Sequence, residues 1–161
     1  DNAACDGREG GISAIDEIVK KAQENGIPFR LMNGYLRMPE PASQDDAQRA
    51  LGLFLSNLHT VRSLVMSDVP ACGLTPSKRK FSKETHRVSL VYASAVPVQA
   101  YVNYAQTPEG RDFHGRVAEA MLVAQYYGAL RVAAARVRMT GDGLRRIFLM
   151  PLGGGVFNNP W

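Results

Sequence analysis

The spacing of apolar residues near the start of the chain predicts a helix that begins at Ser13. Four apolar residues recur at helical intervals and form one face, Ile15, Ile18, Val19 and Ala22. Ser13 is suited to cap this helix, and Asp16 follows three residues later, as in a capping box. Asn25, Gly26 and Pro28 are typical of a helix end.

Residues 28–38 have the pattern of a β-hairpin. Two short runs containing apolar residues flank the pair Asn33-Gly34. Asparagine and glycine both tolerate the positive φ angles of a two-residue type I′ turn, so this pair is a strong hairpin signal. Pro39 and Pro41 close the predicted hairpin.

A second apolar stripe predicts a helix that begins at Ser43, with Asp46 again at the capping-box spacing. Its expected buried face comprises Ala47, Ala50, Leu51, Phe54, Leu55 and Leu58. The periodicity changes near His59, and residues 61–66 could continue the helix or form a strand. We favour a strand that Pro70 ends. Residues 72–87 contain glycine, proline and several cations, and they predict a basic surface loop.

The second half of the chain continues the alternation of strands and helices. Residues 88–96 are predicted as a strand, and residues 112–136 as the longest helix, with small or apolar residues around most of its circumference. The apolar run 145–152 is predicted as a buried strand that leads directly into Gly153-Gly154-Gly155. Such an order of elements predicts an α/β fold with a mostly parallel sheet.

Length and composition are those of one ordinary globular domain. The chain has 161 residues, of which 45% are hydrophobic and 21% are charged. No apolar run reaches the roughly 18 residues that a membrane span needs, and the first residues do not resemble a signal peptide. Cys5 and Cys72 fit neither a disulfide framework nor a zinc spacing, so we expect both to be reduced thiols. We also expect the protein to be intracellular and monomeric.

The ends of the sequence suggest that residues 1–161 are part of a longer protein. The chain opens on Asp1-Asn2 without a methionine, and it closes on Pro160-Trp161 immediately after a glycine loop that a helix should follow. We therefore expect a single domain that lacks its first strands and its C-terminal end.

Two glycine stretches suggest a site for an anion. Gly153-Gly154-Gly155 follows a predicted strand, and Gly10-Gly11 precedes a predicted helix. Glycine lets backbone N–H groups approach a ligand closely, and N–H groups at a strand end or a helix start favour a phosphate. The net charge of +4 permits an anionic ligand without indicating nucleic acid by itself.

Taken together, these stretches resemble the two ligand loops of the macro domain family, which binds ADP-ribose. The first loop of that family has the order Asn-Ala-Ala-Asn, a few residues, a glycine run and a small apolar residue. The second has Gly-x-Gly, then Val or Ala, then Phe or Tyr, before Asn-Pro or Gly-Pro. The matching residues here are Asn2, Ala3, Ala4, Gly10, Gly11 and Ile12 in the first loop, and Gly153, Gly154, Gly155, Val156, Phe157 and Asn158 in the second. The resemblance does not extend to the hairpin, the second helix or the basic loop.

The resemblance implies a three-layer α/β/α sandwich with a mixed, mostly parallel central sheet. It also implies that the first loop lies along the distal ribose and the pyrophosphate, while residues 153–157 donate N–H groups to the phosphates. Phe157 would pack near the distal ribose. The implied partner is ADP-ribose or an ADP-ribosylated protein, with no cofactor.

Hydrolysis of an ADP-ribosyl bond would need a carboxylate to position or deprotonate a water. Asp6 and Asp16 lie nearest the first glycine loop and are the candidate catalytic residues, although the capping box is the more expected role of Asp16 and a solvated loop position that of Asp6. Cys5 replaces the asparagine that completes the first motif in many hydrolases of the family, and we expect it to be an inert thiol. The histidines fall in unrelated segments, His114 is expected on the surface, and no spacing indicates a metal.

The basic run between residues 78 and 87 supports a different function. Its cations are Lys78, Arg79, Lys80, Lys83 and Arg87. Such a run could bind nucleic acid or an acidic partner, in a module without enzymatic activity. It lacks interleaved aromatic residues for base stacking, and a solvated loop is the more ordinary role of such a run, so nucleic acid is the less expected partner.

Overall fold

A computed structural model describes residues 14–32, 35–74, 81–141, 146–155, 157 and 159. Its helices are α1 (Asp16–Glu24), α2 (Gln44–Ser56), α3 (Val98–Tyr104) and α4 (Pro108–Thr140), with a 3-10 helix at Leu58–Thr60. Its strands are β1 (Arg30–Met32), β2 (Tyr35–Arg37), β3 (Leu64–Leu74) and β4 (Phe81–Tyr92). The described chain therefore combines helices with small sheets.

Helix α1 confirms the first predicted helix. It buries Ile18, Val19 and Ala22 on one face. The chain leaves the helix through Gly26, whose φ of 72° suits glycine. Asp16 is the first residue of the helix and Ile15 is its N-cap, so the predicted N-cap at Ser13 is wrong; Ser13 itself lies outside the described residues.

Strands β1 and β2 confirm the first hairpin. They pair antiparallel, and Met32 opposite Tyr35 leaves the two residues 33–34 as the connection. That pair lies outside the described residues, so the type of the turn stays a prediction. Leu36 is buried, and its N–H donates to the Tyr101 hydroxyl over 3.1 Å, which fastens the hairpin to α3.

Helix α2 confirms the second predicted helix and its cap. The Ser43 hydroxyl accepts the Asp46 N–H at 3.1 Å and donates to the Asp46 carboxylate at 2.8 Å. Ala50, Leu51 and Phe54 are buried as predicted. Leu55 was expected on the same face but is 47% exposed, since it lies at the edge of the stripe.

Strands β3 and β4 form a long antiparallel hairpin that the sequence predicted only in part. β3 begins at Leu64 rather than at residue 61, and it continues through Pro70. A two-stranded sheet has free edges, so a proline without an N–H donor can lie within a strand. β4 begins at Phe81, which corrects the later part of the predicted loop 72–87.

Helices α3 and α4 follow β4. The seven residues of α3 were not predicted, and α4 extends beyond the predicted range of 112–136 at both ends. The hydroxyl of Thr107 accepts the Gly110 N–H at 3.0 Å, and Pro108 occupies the first turn, which defines the start of α4. Gly141, with a φ of 64°, follows its last residue.

The buried strand predicted at 145–152 is wrong over its described part. Residues 146–152 have no regular secondary structure, and Phe148 is 84% exposed. Both sheets of the described residues are antiparallel pairs, so the expected mostly parallel sheet is not found there. A short apolar run becomes a strand only where another strand offers a free edge, and here the run lies against α4 instead.

The core lies between α1, α2, the first hairpin and the first part of α4. Its largest fully buried side chains are Phe29, Phe54, Ile18, Leu36, His114 and Val117. The buried positions of α4 end at Gly128, and no residue of the helix beyond it is buried. Among the described residues, no helix has the length and the apolar character needed to cross a membrane.

Candidate functional site

The structure describes five of the predicted site residues, namely Asp16, Gly153, Gly154, Gly155 and Phe157. The remaining candidates lie outside the described residues; they are Asn2, Ala3, Ala4, Asp6, Gly10, Gly11, Ile12, Val156 and Asn158. The geometry of the candidate site can therefore be built from the second glycine loop, which we call the glycine turn (residues 151–159).

Two backbone hydrogen bonds join described residues of the glycine turn. The Gly154 N–H donates to the Pro151 carbonyl at 3.3 Å, and the Asn159 N–H donates to the Gly153 carbonyl at 3.0 Å. Gly153 has a φ of 79°, and a Cβ there would lie 2.3 Å from Nδ2 of Asn159. Because of both constraints, only glycine fits at position 153 without rearrangement.

Asn159 holds the glycine turn from its inner side. It is only 3% exposed, and its Nδ2 donates to the carbonyls of Val96 at 2.7 Å and Leu152 at 3.4 Å. Its Oδ1 accepts the Val98 N–H at 3.2 Å. This one amide therefore joins the glycine turn to the chain that enters α3. Sequence reasoning missed this role, although a buried asparagine beside a glycine turn is a common way to satisfy backbone groups.

Helix α4 holds the same region through two polar side chains. The Tyr126 hydroxyl donates to the Met150 carbonyl at 2.8 Å and accepts the Leu152 N–H at 2.9 Å. Gln125 accepts the Ser94 N–H at 3.3 Å. The segment before α3 and the segment after α4 are thus both attached to α4.

The outer side of the turn is open to a ligand. A Cβ at Gly155 would meet nothing within 4 Å, and no described residue accepts its N–H. Phe157 is also exposed beside it. The described hydrogen bonds of this turn involve no carboxylate. An exposed backbone N–H group on such a turn is suited to bind an anionic group.

Asp16, the described catalytic candidate, lies on another part of the fold. It begins α1, which packs against α2, β1 and the 3-10 helix, whereas the glycine turn is attached to α3 and α4. The described residues therefore do not assemble Asp16 and the glycine turn into one catalytic arrangement.

A second polar cluster surrounds the start of α4. Glu40 accepts the Thr107 hydroxyl at 2.5 Å and also accepts the Gln106 N–H. The hydrogen bond from Thr107, and then the one from Gln106, holds the pKa of the Glu40 carboxyl below its ordinary value. The sequence offered no signal for this contact, because it joins residues far apart in the chain.

His114 was predicted on the surface, but it is only 1% exposed. Its Nδ1 lies 3.2 Å from the Tyr101 carbonyl, and its ring packs between Phe113 and Tyr104. Because a carbonyl only accepts, a neutral ring carries its hydrogen on Nδ1, and Nε2 has no partner among the described groups. His114 lies on the buried face of α4, and this explains why the prediction of a surface position was wrong.

The described residues include only part of the predicted basic run. Lys78, Arg79 and Lys80 lie outside the described residues, whereas Lys83 and Arg87 belong to β4, and Arg87 is exposed. In the described part of the chain, no group of three or more histidine, cysteine or acidic residues could hold a metal ion.

Comparison of the chain with known protein families, with characterised proteins and with solved structures gives no match.

Proposed function

We propose that this domain binds ADP-ribose, or a protein that carries it, and that the glycine turn donates N–H groups to the diphosphate. The observation that carries this proposal is the fixed backbone at Gly153, held by Asn159 and Tyr126, beside the open N–H of Gly155. A donor that is already in place loses little entropy when it binds a phosphate. The resemblance of both glycine loops to those of macro domains supports the choice of ligand.

The macro-domain sandwich and its mostly parallel sheet belong to this proposal. A monomeric, intracellular domain belongs to the proposal as well, since its expected partners are ADP-ribose and ADP-ribosylated proteins.

Calorimetric titration of the 161-residue chain with ADP-ribose tests the proposal. We expect saturable binding of one ligand. Gly155→Ala should weaken it, since the new methyl group stands where a phosphate would approach the backbone. Gly52→Ala is the matched control: a Cβ there also meets nothing within 4 Å, but the residue lies in α2. Lack of heat at millimolar ligand would reject the proposal.

Hydrolysis of the ADP-ribosyl bond is the activity that this site would support if Asp6 positions a water. The test is release of ADP-ribose from a modified protein. Asp6→Ala should then lower the turnover and leave the binding of free ADP-ribose intact, whereas Asp16→Ala, on another part of the fold, should change neither. Turnover by Asp6→Ala equal to that of the unchanged chain would show that this carboxylate is not the catalytic group.

A further inference from the structure

The carboxyl-terminal half of α4 carries an uncompensated positive charge. Between residues 120 and 141 the sequence contains three arginines, Arg131, Arg136 and Arg138, and no acidic residue. No residue of the helix beyond Gly128 is buried, so this part contributes little to the core. Arg136 forms an ion pair with Asp68 of β3, whereas Arg131 and Arg138 have no acidic partner among the described residues.

Arg131 is held in place by neutral groups. Its Nη1 donates to the His59 carbonyl at 2.8 Å, and its guanidinium lies 5.6 Å from the centroid of the Tyr127 ring. A carbonyl and an aromatic ring orient a guanidinium but leave its full charge available. The Tyr127 side chain is 45% exposed, so part of its surface is accessible beside this cation.

Tyr127, Arg131 and Arg138 lie along one line on the helix. With 3.6 residues per turn, they fall within an arc of about 40°, and they span roughly 16 Å of the axis. All three are exposed. We call this surface the α4 stripe. The segment that Tyr126 fastens to the same helix carries another exposed aromatic residue, Phe148.

We propose that the α4 stripe binds single-stranded nucleic acid. Arg131 and Arg138 pair with successive phosphates, while Tyr127 stacks on a base. Proteins that bind single strands combine cations along the backbone with exposed aromatic rings in this way. An acidic protein would use the arginines but would leave the ring without a base, so nucleic acid is the better fit. This inference is independent of ADP-ribose binding, because it uses another surface.

Fluorescence anisotropy with a labelled oligouridine measures this binding as a function of salt. Each phosphate contact contributes about −0.7 to the slope of log K against log salt for a single strand, so Arg138→Gln should make the slope shallower by about 0.7. Tyr127→Ala should weaken binding roughly tenfold and leave the slope unchanged, since stacking releases no counterions.

Arg111→Gln is the matched control. Arg111 is an exposed arginine on the same helix, but it lies on the opposite face. Its loss should leave both affinity and slope unchanged. Among the described residues, no side-chain hydrogen bond or ion pair of Arg138 is found, so its replacement should not disturb the fold. A circular dichroism melt of each variant verifies this.

Four results would overturn the proposal. The first is the absence of salt-dependent binding by the unchanged chain, and the second is equal binding by Arg138→Gln, Tyr127→Ala and the control. The third is competition by polyglutamate or by an RNA duplex as effective as that by unlabelled single strand, which would indicate an acidic protein or a shape-specific ligand instead. Displacement by excess ADP-ribose would transfer the binding to the glycine turn and would also reject the stripe.

Discussion

Glu40 holds the residues that precede α4, although it lies 66 residues before Gln106, whose N–H it accepts. The same carboxylate accepts the hydroxyl of Thr107, the residue that caps α4 locally. A negative charge at a helix start also interacts favourably with the helix dipole. One exposed carboxylate thereby connects the loop before α2 with the longest helix of the molecule.

This connection predicts a pH dependence of stability. The hydrogen bonds lower the folded-state pKa of Glu40 below its ordinary value of 4.5. Its contribution is therefore complete above that value and is lost as the pH falls through the lower, folded-state pKa. Between neutral pH and pH values below 4.5, the melting temperature should fall more in the unchanged chain than in Glu40→Gln. Circular dichroism melts measure this, with Glu119→Gln, an exposed glutamate of α4, as control. Parallel pH profiles of the two chains would contradict it.

Gly153 should tolerate substitution far less than Gly155. Alanine at 153 combines a left-handed backbone with a Cβ only 2.3 Å from the Asn159 amide, whereas at 155 the Cβ meets nothing. The left-handed conformation alone costs roughly 1–2 kcal/mol for a residue with a side chain. We expect Gly153→Ala to lower the free energy of unfolding in urea by at least that amount, and Gly155→Ala to be nearly neutral. Equal stabilities would show that the turn is not held as described.

At the scale of elements, α2 offers a test of its capping box. Ser43→Ala removes the acceptor of the Asp46 N–H and should cost about 1 kcal/mol of unfolding free energy. Ser56→Ala is the control, because Ser56 lies at the other end of the helix, where its hydroxyl donates to the Leu53 carbonyl and accepts the Asn57 side-chain amide. Chemical denaturation measures both. A larger cost at Ser56 would contradict the assignment.

The elements that the sequence predicted well are those with a local signal. The apolar stripe of α1, the Asn33-Gly34 pair and the capping box of Ser43 are encoded within a few residues. The run 145–152 has the composition of a strand, but its state depends on Tyr126 and on which strand edges are available. The pairing that turns residues 81–87 into a strand is likewise decided by β3, and local composition does not contain it.

Only the local features of the candidate site could be predicted from the sequence. Glycine at 153 can be inferred from the sequence as a turn, because a glycine run is a local feature. The residues that hold this turn, Asn159 and Tyr126, and the contact of Glu40 with α4 depend on the tertiary fold. No short stretch of the sequence indicates these tertiary contacts.

At the scale of the whole molecule, α4 is buried at one end and exposed at the other. Its amino-terminal part contributes Phe113, Val117 and Met121 to the core, and its buried positions end at Gly128. Amide hydrogen exchange followed by mass spectrometry should therefore show strong protection around Val117 and weak protection from residue 132 onward. Uniform protection along α4 would indicate that another part of the chain covers its second half.

The close approach of Gly153 and Asn159 also constrains how this protein can evolve. A side chain at 153 would collide with the asparagine amide, so the less costly order replaces Asn159 by a smaller residue first. That first step removes the bonds from the amide to Val96 and Leu152. Both orders of mutation thus pass through a destabilised intermediate, and in descendants of this sequence the two positions should be retained or lost together.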